Sequence, residues 1–424
     1  MSDGGTDDTG DAGDDGGERD RAGPLDGVGE TRQRAIYVEG LSGGETTMPV
    51  EYGALRERAR EALPDGVFDG TEGGAGSEDT MVANRRAFDD WRILPKRMRD
   101  VAERRLATRA LGDRLSAPVG LAPVGIQATY HDDGEMAPAR AAAALGLPFC
   151  LSTVASTTIE DVAEAAEDAA SEADIEEPPL WYQLYWPTDR DLAASFVDRA
   201  EAAGYSAIVV TVDVPLLGWR ERDLRNAQLP FAEGEGLANY LSDDVFLERV
   251  DGDPEENPWS AALAFFDVFT DASLTWEDLR WLDELTDLPI AVKGIMRPDD
   301  ARRAVEHGAD AVWVSNHGGR QIDGELAALD ALPAVADVVP ADADVLFDSG
   351  VRQGSDTFRA LALGADAAFL GRPYLYALAL AGEDGVDAVL RNHCAELDLT
   401  LGLAGECAVT DVDRDAVRRP GPKV

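Results

Sequence analysis

Residues 191–213 read DLAASFVDRAEAAGYSAIVVTVD. The first fourteen carry apolar residues at helical spacing and stop at Gly204, and the last seven form a near-continuous apolar run that ends on Asp213. A helix followed by a strand with no polar face is the unit of a parallel sheet covered by helices. The same run-and-helix form recurs as PVGLAPVG (118–125), PFCLST (148–153), WYQLYW (181–186), PIAVKG (289–294), AVWVSNH (311–317), DVLFDSG (344–350) and AAFLGR (367–372). Eight such units in one chain predict an α/β fold, a TIM-type (β/α)8 barrel. A doubly wound open sheet is the competing architecture. It would carry a GxGxxG turn after its first strand, and APVGIQ (122–127) does not match.

The barrel is assigned to residues 116–405. EYGALRERAREAL (51–63) and DTMVANRRAFDDW (79–91) predict helices in an N-terminal segment, 31–115, expected to cap the barrel bottom or side. A long polar insertion, 225–276, separates the fourth and fifth runs on the face where barrel active sites form, and reads as a lid. The Gly/Asp-rich start, 1–30, cannot bury apolar surface and is expected to be disordered to about Gly29. Residues 406–424 form a C-terminal tail.

The charge is lopsided, with 38 basic against 82 acidic residues and a net charge of −44. Such a surface repels nucleic acid and anionic lipid, so neither is expected as a partner. Lysine occurs three times, at Lys96, Lys293 and Lys423. An acidic protein from a high-GC genome would also favour arginine. Acid excess together with so little lysine points instead to concentrated salt, where the Debye length falls to about 3 Å and self-repulsion is screened. Three cysteines without CxxC spacing argue against a disulfide framework or zinc site and fit a reducing, cytoplasmic setting; no metal is expected. The chain shows no 18-residue apolar run, and its first residues lack the basic and apolar regions of a signal peptide.

Chemistry in a barrel gathers at the C-terminal ends of the strands. The eight runs deliver Gly125, Ser152, Gln183 with Tyr185, Thr211 with Asp213, Lys293, His317 with Arg320, Asp348 with Arg352, and Gly371 with Arg372. A lone histidine or arginine at a strand end is usually a loop residue or a surface charge. Here every strand brings a polar residue or a glycine to one rim. Lys293 ends an otherwise apolar run in a chain nearly devoid of lysine. The turns DSGVRQG (348–354) and LGR (370–372) supply backbone amides plus Arg352 and Arg372, a setting suited to a phosphate. Arg220, Lys293 and Arg320 then suit two further anionic groups.

SNHGGRQ (315–321) resembles the signature of the FMN-dependent α-hydroxy-acid dehydrogenases and oxidases. WYQLYW, TVD, LGWRERD (217–223), VKG, DSGVR and GRP stand around it in that family's order, and the resemblance covers about residues 50 to 410. ANRRAFDDWRILPKRMRD (83–100), LAPVGIQATYHDDGE (121–135), LPFAEGEGLANYLSDDVF (229–246) and the long Arg220-to-Lys293 spacing look most like the lactate 2-monooxygenases.

The resemblance implies FMN as cofactor, a small lactate-like 2-hydroxy acid as substrate, and O2 or another acceptor as oxidant. It also implies a tetramer-based homo-oligomer. His317 would be the base, oriented by Asp213, whose carboxylate would favour the charged imidazole. Arg220 and Arg320 would hold the substrate carboxylate, and Tyr185 would meet the substrate hydroxyl. Lys293 would stabilise the reduced flavin. Pro123, Val124 and Gly125, with Ser152, Gln183 and Thr211, would hold the ring. Asp348, Ser349, Gly350, Arg352, Gly371 and Arg372 would hold the remainder. The glycines after His317 would let flavin and substrate approach the backbone. Two positions depart from the family pattern. Gly70 falls where relatives have a tyrosine on the carboxylate, and Val154 stands where some members carry tryptophan, leaving room for more than a two-carbon acid. A flavin barrel of other chemistry would share the phosphate turns without the His317, Arg320 and Arg220 set. A non-catalytic FMN-binding barrel is the reading that Gly70 would favour.

Overall fold

The computed structural model describes residues 24–43, 48–227, 229–254 and 257–420. Eight parallel strands close into a barrel: β1 (Val119–Leu121), β2 (Phe149–Ser152), β3 (Leu180–Leu184), β4 (Ala207–Thr211), β5 (Ile290–Ile295), β6 (Ala311–Val314), β7 (Asp344–Phe347) and β8 (Ala367–Leu370). Each pairs with the next in sequence, and β8 pairs with β1. Each coincides with a run read from the sequence, with Leu180 of β3 and Ile295 of β5 falling one residue outside theirs. Nearly all their residues are buried, because one face meets the barrel interior and the other the surrounding helices.

The interior is filled by Cys150, Trp181, Ala207, Val209, Ala291, Ala311, Trp313, Leu346 and Phe369. Trp313 and Phe369 lie with ring centroids 4.1 Å apart. Large rings fit because alanines stand opposite them and Gly120 leaves space: a Cβ there would sit 2.4 Å from the Phe369 ring. Trp181 donates its Nε1 hydrogen to Asp113 at 2.7 Å. Asp113 belongs to the hairpin of Thr108–Ala110 and Asp113–Leu115, whose Leu111 amide bonds Asp344 at 2.6 Å. This hairpin closes the bottom of the barrel.

The N-terminal helices differ from expectation. α1 (Val28–Leu41), α2 (Tyr52–Ala62), α3 (Asp65–Glu72) and α4 (Asp79–Asp90) precede the barrel. α3 and α4 meet the loops at the C-terminal rim and not the bottom, which the hairpin already fills. Asn84 of α4 and Asn316 after β6 exchange two amide bonds, at 2.8 and 2.9 Å, in a fully buried position. Asp323 accepts the amides of Ser77, Asp79 and Thr80 and so caps α4 from a distant loop.

Of the tract expected to be disordered, residues 1–23 lie outside the described residues. The Gly/Asp bias ends there. Leu25 is buried, and the Gly29 amide bonds Asp398 at 2.9 Å, where a Cβ would sit 2.6 Å from Leu399. The C-terminal tail returns to pair Val417–Arg418 with Arg92–Ile93. No helix among the described residues is long and apolar enough to cross a membrane.

Candidate active site

At the C-terminal rim lies a cavity of about 730 Å³. Pro123, Val124 and Gly125 line it from β1, Tyr185 from β3, Arg220 from the loop after β4, and Lys293 from β5. His317 and Arg320 enter after β6, Asp348 to Arg352 after β7, and Gly371 and Arg372 after β8. Ser152, Gln183, Thr211 and Asp213 are not among its lining residues: Ser152 Oγ donates to Gln183 Oε1 at 3.1 Å, and Asp213 meets the lining residue His317. The strand-end reading of the sequence therefore converges on one place.

The turn after β6 has an unusual backbone. His317, Gly318 and Gly319 all take positive φ, at 56°, 65° and 79°. A histidine there is strained unless its surroundings enforce it. Ser315 Oγ accepts the His317 amide at 3.0 Å, and Ser349 Oγ accepts those of Asn316 and Gly318. Both hydroxyls then donate to Asp348 Oδ1, at 2.6 and 2.7 Å. One buried carboxylate thus fixes the whole turn. Gly318 lines the cavity, whereas Gly319 serves a different purpose from the one expected. A Cβ on Gly319 would sit 2.6 Å from the Met81 amide, so this glycine answers to α4 and not to a ligand.

Lys293 lies under the turn, donating to Ser315 Oγ at 2.9 Å and standing 3.3 Å from Asp348. Burial disfavours its charge, yet Asp348 and Asp213 hold the ammonium above its ordinary range. His317 Nδ1 is 2.9 Å from Asp213 Oδ1. Burial would raise the Asp213 carboxyl, but His317 and Lys293 hold it low. The imidazole is pushed below its ordinary value, chiefly by burial, with Lys293 and Arg220 adding to it and Asp213 opposing. Asp213 favours the charged imidazole, but burial and two cations outweigh this one carboxylate. Gly294, at φ 109°, permits this packing, since a Cβ would lie 2.7 Å from that of Asp213.

Arg320 donates through Nη1 to the carbonyls of Gly70, at 2.6 Å, and Gly73, at 2.9 Å. Burial and the neighbouring Arg220 push its guanidinium down to about 10. Arg220 donates to the Arg320 carbonyl at 3.1 Å and to Gln321 at 2.9 Å. The Tyr185 hydroxyl is pushed up to about 12 by burial. Gly70 lines the cavity from α3 with ordinary helical φ, and its Cβ position has no atom nearer than Asp223 Oδ1 at 3.8 Å.

Buried polar atoms near the rim that lack partners among the described residues include the donors Gln183 Nε2, Thr211 Oγ1 and Arg352 Nε and the acceptors Asp213 Oδ2 and Asp223 Oδ1. Buried donors without partners are costly, and their concentration around one cavity fits a polar planar ring and a phosphate. The two arginines expected at the phosphate differ. Arg352 stacks on the Tyr52 ring at 4.6 Å and keeps its Nε free. Arg372 gives hydrogen bonds to the carbonyls of Thr71, Glu72, Gly73 and Gly318, which leaves one of its five hydrogens. It ties α3 to the turn that carries His317.

Sequence reasoning missed Asn84, Asn316 and Tyr130. Asn316 was in view beside His317. Nothing local marks its partner 232 residues away. Tyr130 follows β1 by nine residues and lines the cavity.

The insertion is a packed cover. It carries Pro230–Glu233, Ala238–Leu241, Asp244–Leu247 and Pro258–Val268 as short helices. Phe231, Phe265 and Phe269 stack with centroids 4.7 Å apart along the series. Leu229, Pro230 and Phe231 close one side of the cavity.

The family model for FMN-dependent dehydrogenase matches residues 59–419. The chain is similar to an L-lactate oxidase of Lysinibacillus sphaericus, at 41% identity covering 86% of this chain and 92% of the relative. It is also similar to human 2-hydroxyacid oxidase 1, at 40% identity over 86% of this chain and 95% of that protein. Among solved structures, mandelate oxidase aligns with a TM-score of 0.77 and 36% identity, covering 89% of this chain and all of that one.

Proposed function

The chain belongs to the FMN-dependent dehydrogenase family, whose model spans most of its length, and we propose that it oxidises an L-2-hydroxy acid, lactate-like or larger, to the 2-oxo acid with His317 as base. The observation that carries this reading is the shared cavity, with the Asp213–His317 pair and Lys293 at its floor and Arg220 and Arg320 at its wall.

FMN, when bound, supplies the acceptor for the two electrons that leave the acid. The Pro123–Gly125 backbone, Ser152, Gln183 and Thr211 would hold the ring. Ser349, Gly350, Arg352, Gly371 and the remaining donor of Arg372 would hold the phosphate. Asp348 acts one step removed, fixing Lys293 and the His317 turn. Lys293 keeps a positive charge in the buried floor and stabilises negative charge developing there. Arg220 and Arg320 present planar donors to the carboxylate, and Tyr185 meets the 2-hydroxyl. With ionised Asp213 accepting from Nδ1–H, neutral His317 has its lone pair on Nε2. That atom takes the proton released as the alcohol becomes a ketone. Val154 leaves space for a side chain beyond two carbons.

Anaerobic addition of L-lactate or (S)-mandelate to the FMN-loaded protein tests the reading. Bleaching of the flavin bands is expected, and an unchanged spectrum with both acids refutes it.

A second reading concerns the fate of oxygen. The aromatic cover over the cavity favours retention of the oxo acid and peroxide long enough to decarboxylate, a lactate 2-monooxygenase-like outcome. Stoichiometric peroxide release under air would instead make the protein an oxidase. We further propose a tetramer-based homo-oligomer, supported by the exposed Leu216, Leu217 and Trp219, the last 70% exposed. Light scattering on the purified protein checks it.

A further inference from the structure

We infer that Tyr130 is a substrate-binding residue of this cavity, its phenol hydroxyl meeting the carboxylate of the acid beside Arg320. The inference rests on the oxidation reading for the identity of the ligand, and on geometry for the contact.

Tyr130 leaves the short helical turn Gln127–Thr129 and lines the cavity together with Gly70, Thr71, Arg320 and Arg372. Its hydroxyl is 2.7 Å from Thr71 Oγ1. Thr71 has one hydroxyl hydrogen, which it gives to the Val67 carbonyl at 2.8 Å. Tyr130 must therefore be the donor to Thr71 when the cavity holds no anion. Burial raises the phenol against the pull of Arg320 and Arg372, so it keeps its proton and remains a donor at neutral pH.

The arginines of this wall are already partly engaged, since Asp223 Oδ2 stands 3.8 Å from Arg320 Nη2 and 3.9 Å from Arg220 Nη1. Arg320 has committed Nη1 to two carbonyls, and Arg220 has committed Nε and Nη2. A carboxylate between them has about four acceptor positions to fill. A third cation would repel the two already buried, whereas a neutral hydroxyl would not. Gly70 places no side chain on this wall, and the nearest atom to its Cβ position is Asp223 Oδ1 at 3.8 Å.

Two hydrogens need only rotate. When an anion arrives, Tyr130 turns its hydrogen to the carboxylate and Thr71 turns its own to the Tyr130 oxygen. Both hydroxyls keep a partner and no heavy atom moves. What is given up is a side-chain bond to Val67, of a kind that contributes little in a helix.

The test is pyruvate binding to the oxidised holoenzyme, read from perturbation of the flavin bands. Tyr130→Phe keeps the ring and should weaken pyruvate about 10- to 100-fold, the worth of a hydrogen bond to a charged group, with the FMN content unchanged. Thr71→Val removes the competing acceptor and should leave binding equal or tighter. Equal dissociation constants for wild type and Tyr130→Phe overturn the assignment, as does equal weakening by Thr71→Val, which would indicate wall packing. Weakened pyruvate binding in Tyr130→Phe alone supports it whether or not lactate reduces the flavin. Failure of lactate and mandelate to reduce the wild type overturns the oxidation reading instead.

Discussion

His317 Nδ1 stands 2.9 Å from Asp213 Oδ1, while Asp213 Oδ2 is buried without a partner among the described residues. The ring is held from behind by one bond, and its other nitrogen is left for the cavity. Replacing the ring should abolish proton transfer and little else. His317→Ala is expected to retain FMN and to lose flavin reduction by about 10²–10⁴-fold. Because residue 317 has φ 56°, His317→Asn serves as a control that tolerates this backbone better. Near-normal reduction in stopped flow would remove His317 from the mechanism.

The pH profile of flavin reduction should have two limbs. His317 works as a base only when neutral, and its value is depressed, so activity falls as pH drops through a value below that of ordinary histidine. Arg320 binds the carboxylate only when charged, so activity falls again as pH rises through about 10. Asp213→Asn removes the group that favours the imidazolium. It should shift the acid limb to still lower pH while reducing the limiting rate. An acid limb that moves upward, or stays fixed, contradicts the pairing.

Salt acts on the whole surface. With a net charge of −44, the folded state repels itself in dilute buffer. At molar KCl the Debye length is about 3 Å, and that repulsion is nearly gone. The melting temperature should therefore climb steeply with KCl. A melting temperature indifferent to salt argues for an acidic protein of ordinary habitat.

Gly70 offers a gain-of-contact experiment. Its φ is not positive, and its Cβ position is open to 3.8 Å, so Gly70→Ala should be kinetically neutral and slightly stabilising within α3. Gly70→Tyr should add a hydroxyl to the carboxylate wall and tighten lactate binding by roughly tenfold or more. The gain should be largest in a Tyr130→Phe background. If the alanine and tyrosine variants bind lactate alike, the open wall is not where the carboxylate lies.

The barrel was legible because each strand is buried on two faces, which writes a nearly continuous apolar run such as AIVVTVD into the chain. The rim was legible for a related reason: a polar residue at the end of such a run has nowhere to go but the strand terminus. Lys293 and His317 stood out in this way. Other features depend on distances the sequence does not encode. Asn84 reads as an ordinary helical residue until it meets Asn316, and Asp323 as an ordinary loop acid until it caps α4. Gly319 was credited to the ligand because a glycine beside a histidine suggests close approach, and the body approaching is a helix. The net direction of the His317 shift is not legible in sequence because it depends on burial and on two cations that arrive from elsewhere in the chain.

The reciprocal amide pair of Asn84 and Asn316 bears on how the chain can be divided. Each side chain is the partner of the other in a position without water access, and Asn84 Oδ1 also receives the Ala328 amide. Removing α4 would strand these groups, each at a cost of about 1–3 kcal/mol, beside the turn that carries His317. A fragment beginning at residue 116 would contain all eight strands and every proposed catalytic side chain, yet its reactive loop would have lost its mould. The barrel alone is therefore a poor unit for grafting or minimisation, and α4 counts as part of the catalyst.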